Sequence, residues 1–167
     1  GGVPLMWKTG HSLIEDKLHT EKAPLAGELS GHLYFADDYY GYDDAVYASL
    51  RLLDILDKTG KKASMLLEGV KKYYSTPEIR ITVPDEKKFD VVEKIKDLFF
   101  SKNSRISDID GVKVFFPDGW ALVRASNTQP ALVIRMEAED ADSLEKIKTG
   151  FMDMIKQFLY TNSSSKI

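Results

Sequence analysis

The stretch of residues 111–138 constrains the fold more than any other part of the chain. Three apolar, strand-like runs, at 111–116, 120–124 and 131–138, follow one another with only short polar connections. Pro117-Asp118-Gly119 is a strong turn signal between the first two runs. Strands joined this closely pair antiparallel, because a parallel crossover needs a dozen residues or more. The sequence therefore predicts a mostly antiparallel sheet in this half of the chain.

Two helices and one more strand complete this half. Residues 78–83 alternate as a strand, Asp85 follows as a helix cap, and a second helix is predicted from about 141 to 159. The apolar faces of the two helices are predicted to consist of Phe89, Val92, Ile95 and Phe99, and of Leu144, Ile147, Phe151, Met154 and Phe158. This order indicates an α+β domain at 77–160 with a mostly antiparallel four-stranded sheet and two helices. The serine-rich residues 161–167 are expected to be a disordered tail.

The first part of the chain carries shorter patterns. Residues 3–7 resemble a strand, and Ser12-Leu13-Ile14-Glu15 has the spacing of a capping box, which predicts a helix from Ser12. Two short strands are predicted at 25–29 and 33–36. A further helix is predicted after Asp43-Asp44, where negative charge suits the helix dipole. Its apolar stripe comprises Val46, Ser49, Leu50, Leu53 and Leu56.

The composition argues against several classes of protein. The 167 residues contain no cysteine, so neither disulfides nor thiolate metal sites can form, and a reducing, cytoplasmic setting fits. The net charge of −3 and the pI near 5.7 disfavour nucleic acid as a partner. No apolar run approaches the roughly 18 residues of a membrane span, and no signal segment is recognised. The start at Gly1, followed at once by strand-like residues, is interpreted as a cut from something longer.

The polar loop at 124–130 joins two predicted strands and is a candidate phosphate site. Arg124 can grip a phosphate through two charge-assisted hydrogen bonds, while Ser126, Asn127 and Thr128 can bind its remaining oxygens. The same residue types form ordinary turns, so a hairpin turn without a ligand is the alternative.

A second candidate site lies in the glycine-containing loop between the two short strands. Glu28, Ser30 and His32 offer an acceptor, a hydroxyl and a titrating imidazole, a set that suits a polyhydroxylated ligand. The alternative is a hairpin whose polar side chains face water.

Two further polar residues lie where a strand is predicted to end and a helix to begin. Anionic ligands gather at this position in α/β sheets, which makes His11 and Lys8 candidate ligand contacts. Solvated or capping residues are the alternative for both. The carboxylates at 37–44 are interpreted as a helix start, and no metal site is predicted.

Three motifs together resemble the α-D-phosphohexomutases, and within them the bacterial phosphomannomutase/phosphoglucomutase type. They are Trp7-Lys8-Thr9-Gly10-His11-Ser12, then Gly27-Glu28-Leu29-Ser30-Gly31-His32 followed by Asp43-Asp44, and then Arg124-Ala125-Ser126-Asn127-Thr128. Members of this family have four domains. The resemblance implies that residues 1–62 are the C-terminal half of the sugar-binding third domain, a partial three-layer α/β fold. It further implies a linker at 63–76 and the phosphate-binding fourth domain at 77–160.

The resemblance implies the C-terminal part of an enzyme that interconverts hexose 1-phosphate and hexose 6-phosphate through a phosphoserine and a bisphosphate. It assigns Glu28, Ser30 and, more weakly, Lys8 to substrate binding, His11 and His32 to proton transfer, and Arg124, Ser126, Asn127 and Thr128 to the phosphate that does not react. The expected partners are hexose phosphates and the missing N-terminal domains, with neither nucleic acid nor membrane.

The resemblance also implies a limit. Nothing in the chain resembles the family's phosphorylated serine loop or its Asp-Gly-Asp magnesium loop. Magnesium is therefore expected only in the full-length enzyme, with hexose 1,6-bisphosphate as its intermediate, and this chain alone is expected to be inactive. The alternatives are a stand-alone phosphosugar-binding or regulatory domain without catalysis, and a purely structural interaction module.

Overall fold

The computed structural model describes residues 2–160. The chain forms two compact units that meet in sequence between Val70 and Lys71, and each is described by itself. None of the helices within the described residues is long and apolar enough to cross a membrane. The tail predicted at 161–167 lies outside these residues.

The first unit contains two helices and a small antiparallel hairpin. Its elements are α1 (His11–Glu21), β1 (Leu25–Gly27), β2 (Leu33–Phe35) and α2 (Ala45–Thr59), followed by a 3-10 turn at Ala63–Met65. Within residues 2–70, the buried hydrophobic side chains are Leu18 and Tyr34. The apolar stripe predicted for α2 lies at the surface, where Leu50 and Leu53 are largely exposed. The unit therefore has a small core.

The helix predicted after Asp43-Asp44 is confirmed. Asp44 is the N-cap of α2, and its carboxylate accepts hydrogen bonds from the backbone N–H groups of Val46 and Tyr47. The helix ends at Gly60, which adopts the left-handed conformation with φ 64°.

Two local predictions in the first unit are wrong. Residues 3–7 form no strand, since no described strand pairs with them. The capping box at Ser12 does not form, because α1 begins one residue earlier, at His11, with Gly10 as its N-cap and no side-chain cap. The Gly10 N–H instead donates to Glu28 Oε1 at 3.3 Å, so a residue distant in sequence replaces the local cap.

A six-stranded sheet forms the second unit. Its strands are β3 (Tyr74–Ser75), β4 (Ile79–Thr82), β5 (Ile106–Ser107), β6 (Val112–Phe116), β7 (Gly119–Ala125) and β8 (Ala131–Ala138). The order is β3-β8-β7-β6-β5, β4 also pairs with β8, and every pairing is antiparallel. The antiparallel α+β fold is confirmed, whereas the count of four strands is wrong. The additional strands β3 and β5 have two residues each, too few for an alternating pattern to reveal, and β3 lies within the predicted linker at 63–76.

Helices α3 (Asp85–Ser101) and α4 (Ala141–Tyr160) pack on this sheet and on each other. Val92 and Ile95 of α3 are buried as predicted, but Phe89 is 57% exposed. Lys88 and Val91 take the core-facing positions of that turn instead. The predicted face of α4 is confirmed, because all its members belong to the core cluster or pack against it. Pro84 is the residue before the first helical residue of α3, so Asp85 is not its cap.

Gly119 allows the close approach of β7 to β8 and α4. A Cβ atom at this position meets the carbonyl oxygen of Glu137, and lies 2.9 Å from both Ala138 Cα and Ile147 Cδ1. We expect Gly119→Ala to lower the free energy of unfolding by about 1–3 kcal/mol, the usual cost of overpacking. Chemical denaturation of the 167-residue chain measures this change. Gly150→Ala is the matched control, because open space surrounds Gly150 and alanine favours a helix by about 0.5–1 kcal/mol. Equal effects of the two substitutions would contradict the close packing.

Candidate functional site: a phosphate loop and a histidine cluster

The loop between β7 and β8, residues 126–130, is the candidate phosphate loop. It is organised around the hydroxyl of Ser126. This side chain is buried, and its Oγ accepts hydrogen bonds from the backbone N–H groups of Thr128, at 3.4 Å, and Gln129, at 3.2 Å. The backbone N–H of Ser126 donates to the carbonyl of Ala131 at 2.9 Å, which extends the strand pairing into the loop. Asn127 is exposed together with Thr128. Ser126 therefore shapes the loop, while its two successors present their side chains to solvent.

Arg124 lies near the end of β7, directly before this loop. Its Nε atom is 4.0 Å from Asp110 Oδ2, too long for a hydrogen bond, and its side chain is 16% exposed. Gly111, with φ 73°, packs against the backbone and Cβ of Arg124, where a larger residue would clash. No described residue accepts a hydrogen bond from the guanidinium, so its planar donors remain available to an anion.

Lys88 supports the loop from α3 and is a residue that the sequence analysis missed. Its ammonium donates hydrogen bonds to the carbonyl of Ser126, at 2.6 Å, and of Gln129, at 3.1 Å, and pairs with Asp85 at 2.6 Å. The residue is only 4% exposed. Arg80 adds a second support, since Nη1 donates to Oε1 of Gln129 at 2.7 Å. A lysine at a core-facing position of an amphipathic helix is the sequence signal that could have identified this contact.

The loop between β1 and β2 brings Glu28 and Ser30 together. Ser30 Oγ donates to Glu28 Oε2 at 3.0 Å, while Glu28 Oε1 accepts from the Gly10 N–H. The Glu28 N–H donates to the carbonyl of His32 at 2.9 Å, and Gly31 provides a turn with φ 97°. One carboxylate thus links this loop to the start of α1.

His11 and His32 meet although they come from different elements. Their ring centroids are 5.9 Å apart in an edge-on arrangement. His32 Nδ1 lies 2.6 Å from Asp43 Oδ2, and Asp43 Oδ1 accepts from the Leu33 N–H at 3.2 Å. The hydrogen bond to His32 is the main cause that lowers the pKa of Asp43 below its ordinary value, and the charge of His11 adds to it.

Asp43 was predicted only as part of a helix start, so its contact with His32 was missed. The signal was a second carboxylate beside Asp44, which caps α2 by itself.

Tyr34 packs against the histidine cluster, which consists of His11, His32 and Asp43. It is fully buried, its ring centroid lies 5.3 Å from that of His11, and its hydroxyl has no hydrogen-bond partner among the described residues. Burial, followed by the charges of Glu28, Asp43 and Glu15, raises the pKa of Tyr34 to about 12. The phenol therefore stays neutral near three carboxylates.

Lys8 is not brought into the cluster. It is exposed and makes no hydrogen bond or ion pair with the other described residues. Its role as a ligand contact stays a prediction.

Comparison with known proteins places these features in a family. The family model described as "Phosphoglucomutase/phosphomannomutase, alpha/beta/alpha domain III" matches residues 1–73, and that described as "Phosphoglucomutase/phosphomannomutase, C-terminal domain" matches residues 78–154. The chain belongs to the phosphoglucomutase/phosphomannomutase family. The resemblance found in the sequence is confirmed.

Individual relatives cover the same part of the family. The phosphomannomutase/phosphoglucomutase of Pseudomonas aeruginosa is 45% identical over 156 residues, which are 93% of this chain and 34% of the relative. The phosphoglucomutase of Neisseria gonorrhoeae is 40% identical over 158 residues, 93% of this chain and 34% of the relative. A crystal structure of a phosphoglucomutase/phosphomannomutase family protein from Burkholderia thailandensis has a TM-score of 0.81 and 41% identity, and covers 95% of this chain and 33% of its own. The chain thus spans about a third of the length of these relatives.

The residues present do not form the magnesium site that the family implies. The chain contains no Asp-Gly-Asp sequence. His11, His32 and Asp43 lie close enough to hold a cation, but magnesium prefers an octahedron of oxygen ligands to imidazole nitrogen. No step of the chemistry is therefore assigned to magnesium in this chain.

We expect Lys88→Met to destabilise the second unit and to move the phosphate loop. Methionine keeps the apolar stem but leaves the carbonyls of Ser126 and Gln129 without their donor, which costs about 1–3 kcal/mol for buried groups. Denaturation gives the free energy of unfolding, and amide spectra report the loop. The matched control is Lys94→Met, because among the described residues Lys94 of the same helix pairs with Asp90 alone and such surface pairs contribute about 0–1 kcal/mol. Unchanged amide signals at the loop would refute the role of Lys88.

The pH dependence of Asp43 follows from its partner. A carboxyl whose folded-state pKa is lowered stabilises the fold above its unfolded pKa, and this contribution is lost as the pH falls through the folded pKa. We expect the Asp43 carboxyl carbon to titrate below the ordinary aspartate range, and His32→Ala to raise its pKa. Asp44 is the control, because its pKa is lowered mainly by the Tyr47 N–H and should not respond to His32→Ala. An unchanged Asp43 titration would mean that His32 does not set it.

Proposed function

We propose that this chain supplies the sugar-binding and phosphate-binding parts of a phosphohexomutase that interconverts hexose 1-phosphate and hexose 6-phosphate. Residues 1–62 would contribute the C-terminal half of the third domain, 63–76 the linker, and 77–160 the fourth domain. The observation that carries the proposal is the convergence of His11, which the sequence places far from the β1–β2 loop, with the hydrogen-bonded residues of that loop.

Glu28 and Ser30 suit the recognition of neighbouring sugar hydroxyls. Each Glu28 oxygen already accepts one hydrogen bond, from Gly10 or Ser30, and a carboxylate oxygen has a further lone pair for a ligand hydroxyl. Because both oxygens of this carboxylate accept hydrogen bonds from the protein, its orientation is fixed before a sugar binds. We assign Glu28 and Ser30 to the orientation of the hexose ring.

His32 suits proton transfer to and from a hexose hydroxyl. An ionised Asp43 is an acceptor only, so a neutral His32 donates its Nδ1–H to Asp43 and keeps a lone pair on Nε2. Nε2 takes the proton of the hydroxyl that attacks the phosphoserine phosphate, and Asp43 stabilises the resulting imidazolium. His11 lies next to this ring and is assigned to substrate contact and to assistance in proton transfer.

Arg124, Asn127 and Thr128 suit the phosphate that does not react, with Ser126 holding the loop in shape. Binding energy from this remote phosphate positions the reacting end of the sugar, so its loss lowers turnover as well as affinity. In the whole enzyme the phosphoserine and the magnesium ligands would belong to parts that nothing in this sequence resembles. The hexose 1,6-bisphosphate intermediate would form between those parts and the residues assigned above. The lack of cysteine supports a cytoplasmic setting, where hexose phosphates occur.

The alternative of a stand-alone phosphosugar-binding or regulatory domain is not favoured, because the matched relatives are named as mutases. Both readings expect this chain to bind without turnover. They differ when the remaining two-thirds of a relative is added, since only the mutase reading expects that addition to yield activity that depends on Glu28.

We expect Arg124→Ala to weaken the binding of glucose 1-phosphate by roughly 1.5–3 kcal/mol, the usual contribution of a hydrogen bond to a charged group. An NMR titration of the 167-residue chain with glucose 1-phosphate and with inorganic phosphate measures this through the amides of the loop. Arg105→Ala is the matched control, because Arg105 is an exposed arginine of the same unit that lies over the Phe115 ring. Equal affinity of the wild type and Arg124→Ala for both ligands would remove the assignment.

A further inference from the structure

The histidine cluster of the first unit has the composition of a transition-metal site. His11, His32 and Asp43 each offer one ligand atom, and these atoms lie within 4.8 Å of one another. The three residues come from the start of α1, from the residue before β2 and from the residue before the N-cap of α2. Local sequence does not explain their convergence.

The donor set suits zinc. Zinc is bound by imidazole nitrogen and carboxylate oxygen at about 2.0–2.2 Å, which places neighbouring ligand atoms of a tetrahedral site roughly 3.3 Å apart. The ligand atoms lie up to 4.8 Å apart on two exposed imidazoles and one half-buried carboxylate, so side-chain rotations would be needed to reach this spacing. Three protein ligands leave a fourth position for water.

The surroundings of the cluster favour a cation. Glu15 Oε2 lies 3.9 Å from His11 Nε2, and Glu28 contacts the start of the same helix. Within the described residues, no lysine or arginine forms an ion pair with Glu15, Glu28 or Asp43. The backbone N–H of Leu33 donates to Asp43 Oδ1 and holds the carboxylate in place, as outer contacts do for metal ligands.

We propose that His11, His32 and Asp43 bind Zn²⁺, and that the bound ion excludes a hexose phosphate from the same residues. On binding, the ion takes the place of the proton between His32 Nδ1 and Asp43 Oδ2, and the neutral imidazole carries its one ring proton on Nε2 instead. The imidazoles are then engaged by the metal. The exclusion of hexose phosphate rests on the proposed function, whereas zinc binding does not.

A zinc titration of the full 167-residue chain tests the site directly. We expect one ion per chain by calorimetry and changes in the imidazole ¹⁵N signals of His11 and His32. His19 is an internal control, because it is exposed and lies outside the cluster. Equal changes of all three histidines, or no saturable change at all, would overturn the site. This measurement uses the wild-type chain and so does not depend on the folding of any variant.

Substitution of single ligands gives the second test. We expect His11→Gln and Asp43→Asn each to weaken zinc binding by at least about tenfold, since even outer-shell changes cost about 10–100-fold. His19→Gln should leave the affinity unchanged. Equal affinities of His11→Gln and His19→Gln would contradict the proposal.

The exclusion is tested by titrating glucose 1-phosphate with and without one equivalent of ZnCl₂, with MgCl₂ as the control cation. We expect zinc to weaken the apparent affinity for glucose 1-phosphate, followed through the Glu28 and Ser30 amides, at least tenfold. Magnesium should leave this affinity unchanged. Zinc binding with an unaltered sugar response would overturn the exclusion. If glucose 1-phosphate fails to bind even without metal, the proposed function fails, while the zinc titration still decides the metal site.

Discussion

The antiparallel pairing of β7 with β8 is the interaction on which the second unit depends. It runs from Gly119 opposite Ala138 to Ala125 opposite Leu132, and continues through the bond from Ser126 N–H to Ala131. Its inner face supplies much of the apolar core under α3 and α4. The phosphate loop is the turn that closes this pair, so the register that buries the core also fixes where Arg124 and Ser126 lie. A slip of one residue would turn both faces over and lose core and loop together.

The loop needs more than strand register, because a five-residue connection leaves several carbonyls without partners. The buried ammonium of Lys88 satisfies two of them, at Ser126 and Gln129. Burial of an ammonium is costly unless every donor is used, and its pairing with Asp85 completes the set. Lys88 therefore supports the structure of the loop, while its own charge is balanced by Asp85.

The sequence predicted the helices and strands that follow from the periodicity of apolar residues. It missed contacts between residues that are distant in the chain. The alternating runs and the spacing of apolar residues located the four longer strands, α3 and α4, because those patterns follow directly from burial. The same spacing located α2, although the apolar stripe of that helix is exposed in this unit. Phe89 was assigned to the core of α3, but it lies beside the buried stripe while Lys88 lies on it. A face assigned from apolar residues alone passes over Lys88, although helical spacing from Val92 and Ile95 places its position on the buried stripe. The Gly10 contact with Glu28 likewise replaced a plausible local cap.

The candidate site shows the same division. Residue type and family motif selected His11, Glu28, Ser30 and His32 as candidates, and the structure brings His11 next to His32 and Ser30 next to Glu28. The role of Asp43 depends on its contact with His32, eleven residues earlier, where Nδ1 and Oδ2 are 2.6 Å apart. The Asp43 carboxylate had been interpreted from the sequence as part of a helix start, so this partner was missed. Short-range explanations can therefore hide long-range ones.

In the two proposals made above, the pair of Asp43 and His32 has two uses that exclude each other. With a proton on Nδ1, the carboxylate fixes the tautomer and leaves Nε2 as a base, which is what acid–base chemistry on a sugar hydroxyl requires. With a metal ion in place of that proton, the same carboxylate and imidazole become ligands. The neighbouring carboxylates Glu15 and Glu28 stabilise both a protonated imidazole and a bound metal ion, because Coulomb attraction depends on the positive charge and not on the group that carries it. A group of carboxylates that can stabilise an imidazolium is thus also suited to a divalent cation. Its selectivity between proton and metal rests on geometry, since the 2.6 Å separation of Nδ1 and Oδ2 fits a shared proton and must widen by roughly 0.7 Å for tetrahedral zinc.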